Sequence, residues 1–214
     1  MSSLLVISLS ASAGHIRMRL ALVLLGLFAA PIVAQEAPAA PPATPTAETR
    51  PAHWAEPIAL EGVPNLHRVT DGLYRSEQPN ALGMKNLEKL GIRTVINLRY
   101  FNDDEDEARG TSLRTERTKI LTWRIGDKHV IEVMKMLRKP ENGPFLIHCQ
   151  HGADRTGLMT AMYRILEQGW TPDEALSELT DGGYGYHSMW TNIIKYVKSV
   201  DVAALEAKIA SAAD

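Results

Sequence analysis

Cys149 and Arg155 are separated by five residues in the segment His148-Cys149-Gln150-His151-Gly152-Ala153-Asp154-Arg155-Thr156-Gly157. A cysteine is a nucleophile as its thiolate, and the thiolate is favoured beside a helix N-terminus and a guanidinium. An arginine presents a planar fork that matches two oxygens of a phosphoryl group. The residues between them join an apolar run, Phe145 to His148, to a helical pattern starting at Thr156. A tight turn at that junction directs free backbone N–H groups inward and makes an anion site. Gly152 and Gly157 suit the close backbone turning this requires. The chemistry implied is attack by the Cys149 sulfur on a phosphorus atom, with Gln150, His151, Gly152, Ala153, Asp154 and Arg155 forming the phosphate-binding stretch. Thr156 is expected to hydrogen-bond the sulfur and help it leave again. His148 is expected to brace the loop from behind by bonding backbone.

The elements that must position this loop follow from the apolar pattern. Strands are expected over 72–76, 94–98, 119–125 and 145–148, the second by its β-branched run. Helices are expected over 81–90 (stopped by Gly91), 129–138, 156–168, 171–179, 187–200 and 202–210. Thr171-Pro172-Asp173-Glu174 reads as a capping box with Pro at the first helical position. Alternating strands and helices imply an α/β domain whose central, mostly parallel sheet is flanked by helices. The acidic stretch 102–109 reads as a solvated loop, and Trp123 as a core residue. Gly182-Gly183-Tyr184-Gly185 reads as a turn beside His187.

The remaining composition narrows the function. Among 214 residues Cys149 is the sole cysteine, so the thiol has no intramolecular disulfide partner. The formal net charge is −2, which gives no reason to expect nucleic acid as a partner. Arg17 and Arg19 precede an apolar stretch from Leu20 to Ala30 and small residues up to Ala34. This pattern predicts a signal peptide over 1–34, with Met18 a candidate true start, and hence a periplasmic or secreted protein without stable membrane insertion. The apolar stretch is short for a transmembrane helix, which needs about 20 residues. The Ala-, Pro- and Thr-rich tract 35–57 is expected to be a linker, and 58–210 the folded domain. Cys149, His148 and His151 lack the further ligands a zinc site needs, and no cofactor is expected.

The string His-Cys-x5-Arg-Thr-Gly resembles the signature of the protein tyrosine and dual-specificity phosphatase superfamily. Leu73 to Pro79, Thr94 to Arg99, Gln168-Gly169-Trp170 and Gly182 to Gly185 resemble bacterial dual-specificity phosphatases, exported ones among them. The resemblance spans roughly residues 60 to 200. It implies the dual-specificity phosphatase fold and metal-free hydrolysis of a phosphomonoester in two steps through a cysteinyl-phosphate. The implied substrate is a phosphorylated protein, with a phosphoinositide or inositol phosphate as the alternative. A sulfur-carrier domain of rhodanese type would leave the Arg155-Thr156-Gly157 ending without a reason.

The family also implies a general acid for the leaving oxygen. Asp127 follows the expected strand 119–125, where dual-specificity phosphatases usually carry that acid. Asp154 lies inside the loop, as in myotubularin-type lipid phosphatases and some bacterial phosphatases. Both stand as candidates, with Asp127 favoured.

Overall fold

The computed structural model describes residues 50–211. The expected signal peptide and residues 35–49 of the expected linker lie outside the described residues. Residues 50–57 pack on the domain instead of continuing a linker. Arg50 donates to the carbonyls of Ala55 (2.8 Å) and Gly182 (2.6 Å) and to the Tyr184 hydroxyl (2.6 Å). The buried Ala55 N–H donates to the Glu178 carboxylate at 2.6 Å. These long-range bonds hold a segment whose composition alone gives no reason to fold.

Six strands form one sheet: β1 (Glu56–Pro57), β2 (His67–Thr70), β3 (Leu73–Ser76), β4 (Thr94–Arg99), β5 (Arg114–Ile120) and β6 (Phe145–His148). Their order is β1-β2-β3-β6-β4-β5. The pairs β1/β2 and β2/β3 are antiparallel; β3/β6, β6/β4 and β4/β5 are parallel. The α/β architecture expected from the sequence is therefore present, with an added antiparallel edge. Strand β6 lies between β3 and β4 and is buried along its whole length.

Among the described residues six α-helices cover the sheet: α1 (Ala81–Leu90), α2 (Asp127–Leu137), α3 (Asp154–Gln168), α4 (Pro172–Asp181), α5 (Thr191–Ser199) and α6 (Val202–Ser211). Alternation along the strands assigns the faces. Val95 and Leu146 pack with Met84 and Leu87 of α1 on one face. Ile96, Leu98 and Ile147 pack with residues of α2 to α6 on the other. Local signals set several ends as expected. Asn80 caps α1 through Gly83 N–H, and Gly91 closes it in the left-handed region. Thr171 and Glu174 form the reciprocal capping box of α4. Among the described residues no helix is long and apolar enough to cross a membrane.

Helices α2 and α3 each begin two residues before the expected start, and two boundaries differ by more. The strand expected over 119–125 is β5, which ends at Ile120. It is a charged edge strand whose Arg114, Thr115 and Lys119 face solvent. Charges on an edge discourage pairing with other chains, and they hide the alternation by which a strand is recognised. The helix expected from His187 begins at Thr191, leaving 182–190 as a loop.

Candidate active site

The loop 149–153 leaves the C-terminal end of β6 and enters α3 at Asp154. In parallel sheets ligand sites lie outside the carboxyl ends of the strands, where this loop sits. Its carbonyls are turned outward by named partners. Gln78 N–H reaches the Gln150 carbonyl (3.5 Å), Asn65 Nδ2 the His151 carbonyl (3.1 Å) and Arg75 the Gly152 carbonyl (2.7 Å). A trans peptide holds its N–H opposite its C=O, so these contacts direct the amides of His151, Gly152 and Ala153 into the loop. That arrangement, at the start of a fifteen-residue helix, is an anion cradle.

Gly152 is required at its position. Its φ is +67°, and a Cβ there would lie 2.5 Å from Glu77 N and 2.5 Å from the Ser76 carbonyl carbon. The loop thus rests directly on the backbone that follows β3. Arg75 on β3 is buried and stacks over the Tyr184 ring at 3.6 Å. It braces the loop through its bond to the Gly152 carbonyl.

Cys149, 1% exposed, sits at the base of the loop. The Arg155 guanidinium borders the cleft, with NH1 3.4 Å from the Ile120 carbonyl and a buried Nε that has no partner among the described residues. A buried guanidinium donor without a partner suits an oxyanion ligand. Thr156 is buried, and its hydroxyl has no hydrogen-bond partner among the described residues. The expected Thr156 bond to the cysteine sulfur is therefore not made here; the Thr156 carbonyl accepts from the Thr160 hydroxyl at 2.9 Å.

His148 lies behind the loop, but its main partner is a side chain rather than backbone. Nε2 lies 2.9 Å from Asp104 Oδ2, while Nδ1 is 3.4 Å from the Cys149 carbonyl. Asp104 also accepts from Asn97 Nδ2 and Gln78 Nε2, both at 2.9 Å. Burial pushes the Asp104 carboxyl up, but the bonds from His148, Gln78 and Asn97 outweigh it and hold it below the usual range. The acidic stretch 102–109 is thus not wholly solvated: Asp104, 2% exposed, braces the catalytic loop. Nothing local distinguishes Asp104 from its exposed neighbours; its partner is 44 residues away.

The loop floors a cleft of about 420 Å³. Tyr100 and Phe101 wall it after β4, Leu121 to Trp123 after β5, and His187, Met189 and Trp190 before α5. Trp123 is 64% exposed and stacks with Trp190 at 6.5 Å, so it is a rim residue and not the core residue expected.

The two candidate acids separate. Asp127 is not among the residues bordering the cleft. It is the first residue of α2, accepting from Tyr196 of α5 at 3.0 Å and Lys208 of α6 at 2.5 Å. The hydrogen bond from Lys208 holds its carboxyl below the usual range. The loop after β5 spends its cleft-facing positions on Leu121 to Trp123, and by Asp127 the chain has turned toward the C-terminal helices. Asp154 does border the cleft, and its carboxylate accepts the backbone N–H of His187 at 3.0 Å and His187 Nδ1 at 2.9 Å. The sequence reading placed His187 only beside a turn; the contact spans 33 residues.

Residues 63–181 match the model of the tyrosine phosphatase family. The chain is 37% identical over 171 residues to the dual specificity protein phosphatase TpbA of Pseudomonas aeruginosa, covering 79% of this chain and 77% of that one. The crystal structure of a cysteine-to-serine form of TpbA in complex with pTyr superposes with a TM-score of 0.69 at 34% identity, over 76% of this chain and 99% of that chain. An inositol diphosphatase, DSP4 of Arabidopsis thaliana, is 28% identical over 112 residues, covering 49% of this chain and 57% of that one.

Proposed function

This chain belongs to the tyrosine phosphatase family, and from that premise we propose that its substrate is a phosphorylated protein, with phosphotyrosine the preferred residue. The enzyme is a phosphatase of the dual-specificity and tyrosine class. The observation that carries the substrate reading is the cleft wall. Tyr100, Phe101, Trp123 and Trp190 line it, and Phe101 and Trp123 are 79% and 64% exposed. Exposed aromatic faces at the mouth of an anion cradle suit an aryl phosphate, whose ring they cover. The stretch Cys149 to Arg155 has no lysine, which a polyanionic inositol phosphate would favour.

In the proposed reaction the Cys149 thiolate attacks phosphorus, the ester bond breaks, and the phosphoryl group passes to sulfur. Water then cleaves the cysteinyl-phosphate. Arg155 and the loop amides hold the phosphoryl oxygens in both steps. Proton transfer runs on the Asp154 side of the cleft, since Asp127 is engaged by Lys208 and Tyr196. We also propose export through residues 1–34, on the basic and apolar pattern of that segment.

The test is a panel of phosphotyrosine, phosphoserine and phosphothreonine peptides and inositol pyrophosphates, run with wild type and Cys149→Ser. The expected result is highest kcat/KM on phosphotyrosine and no turnover by the variant. A higher kcat/KM on inositol pyrophosphates would overturn the substrate reading; full activity of Cys149→Ser would overturn the mechanism. Export is checked by the cell fraction that holds the protein and by the N-terminus of its mature form; an intact N-terminus in the cytoplasm would refute it.

A further inference from the structure

Asp154 is the sole aspartate among the residues that border the cleft, yet its carboxylate is already committed. Oδ1 accepts the His187 backbone N–H and Oδ2 lies 2.9 Å from His187 Nδ1. Its side chain is only 10% exposed. Both oxygens are therefore engaged by His187. A carboxylate only accepts, so with Asp154 as a carboxylate the proton at Nδ1 belongs to the imidazole, and Nε2 is the ring position left for exchange. Nε2 has no partner among the described residues, and the His187 side chain is 45% exposed on the cleft wall.

We propose that His187 is the catalytic acid and base of this phosphatase, and that Asp154 is a positioning residue which orients the ring through Nδ1. The inference rests on the two-step reading above. In the first step the Cys149 sulfur bonds to phosphorus, the P–O ester bond breaks, and the proton on His187 Nε2 passes to the departing oxygen. The ring is left neutral, with Nδ1–H still on Asp154. In the second step Nε2 takes a proton from the attacking water, the P–O bond forms and the P–S bond breaks. Thiolate, phosphate and imidazolium are restored, so no further reactant is needed. A carboxylate that fixes the tautomer and orientation of an imidazole is a recurrent arrangement for such shuttling.

The groups facing His187 are few. Asp154 meets it from α3, and the His151 ring lies 5.4 Å away on the loop. Arg155 and Trp190 share the cleft with it. The neighbouring Tyr186 hydroxyl is bonded to the Trp190 carbonyl at 2.7 Å. Burial, and then the Asp154 charge, push that phenol up, which keeps it neutral while the imidazole exchanges its proton.

The experiment compares wild type, His187→Gln, His187→Ala, Asp154→Asn and Cys149→Ser on aryl phosphates of graded leaving-group pKa, with full pH profiles. His187→Gln should lose about 10²- to 10⁴-fold on the poorest leaving group and far less on the best. The alkaline limb of its kcat/KM profile should disappear, and free imidazole should restore turnover to His187→Ala. Asp154→Asn should lose less than His187→Gln and keep an alkaline limb, displaced to lower pH. Equal losses on all leaving groups, or no response to imidazole, would overturn the proposal. So would an Asp154→Asn variant that loses its alkaline limb while His187→Gln keeps one, which would return the acid to Asp154. Failure of the underlying reading is separate: it would show as turnover by Cys149→Ser.

Discussion

Substituting alanine at Gly152 and at Gly169 should separate two costs that a single variant would confuse. The two glycines have nearly the same backbone, with φ of +67° and +68°. Alanine in that left-handed region costs about 1–2 kcal/mol at either site. Their surroundings differ. A Cβ on Gly169 meets nothing within 4 Å. A Cβ on Gly152 would lie 2.5 Å from Glu77 N and 2.6 Å from the Ser76 carbonyl oxygen. Both are backbone atoms that cannot rotate away, so the loop must lift from β3. That overpacking adds about 1–3 kcal/mol. The expected destabilisation is therefore about 1–2 kcal/mol for Gly169→Ala and about 2–5 kcal/mol for Gly152→Ala. For a domain of this size each kcal/mol lowers Tm by roughly 2–4 °C. The assay is calorimetric Tm together with kcat on para-nitrophenyl phosphate. Gly169→Ala should keep its kcat, because Gly169 closes α3 at the end remote from the loop. Gly152→Ala should lose kcat by more than tenfold even where it is fully folded, since lifting the loop breaks the 2.7 Å bond from Arg75 and re-aims the amides. Equal Tm shifts for the two variants, with Gly152→Ala near full activity, would refute the seating of the loop on β3.

Three further outcomes are expected. Asp127→Asn should leave the leaving-group dependence of kcat unchanged and shift stability by less than about 1 kcal/mol, because its bond to Lys208 is largely exposed; a selective loss on poor leaving groups would return the acid to Asp127. Arg164 and Glu178 form a buried ion pair with bonds of 2.8 and 2.9 Å, so Arg164→Met should cost about 3–5 kcal/mol by leaving the carboxylate unpaired. Burial pushes the Glu178 carboxyl up, but Arg164 outweighs it and holds it below its ordinary value. Its contribution to stability is then present above the unfolded value of about 4.3 and is lost as pH falls from there through the lower folded value. Glu178→Gln should flatten the dependence of Tm on pH in that acid window; an unchanged slope would count against the pair.

Much of the molecule was legible in one dimension. His148 to Gly157 could be read as a nucleophile, an oxyanion fork and a helix-backed cradle because that chemistry is local: a strand, a turn and a helix start, contiguous in the chain. The ends of α1 and α4 were legible for the same reason, since Asn80 and Thr171 bond amides three residues on. Strand β5 begins earlier than the apolar pattern indicates because its charged edge carries no apolar alternation. Trp123 reads as a core residue because residue type carries no information about which wall of a cleft a loop will build. The partners of the loop could not be read at all. Asp104 reaches His148 across 44 residues, and His187 reaches Asp154 across 33. Both contacts depend on sheet order: β6 lies beside β4, which brings the stretch after β4 behind the loop, and the helices of one face bring the segment before α5 over its mouth. Asp127 had a plausible position along the chain and lost it in space, because the first turn of α2 faces Tyr196 and Lys208. What the sequence determined alone was the class of chemistry, since that needs only neighbouring residues with the right groups. Which side chain moves the proton was decided by tertiary packing, because a proton donor acts through distance and orientation, and both are set between segments that the chain keeps far apart.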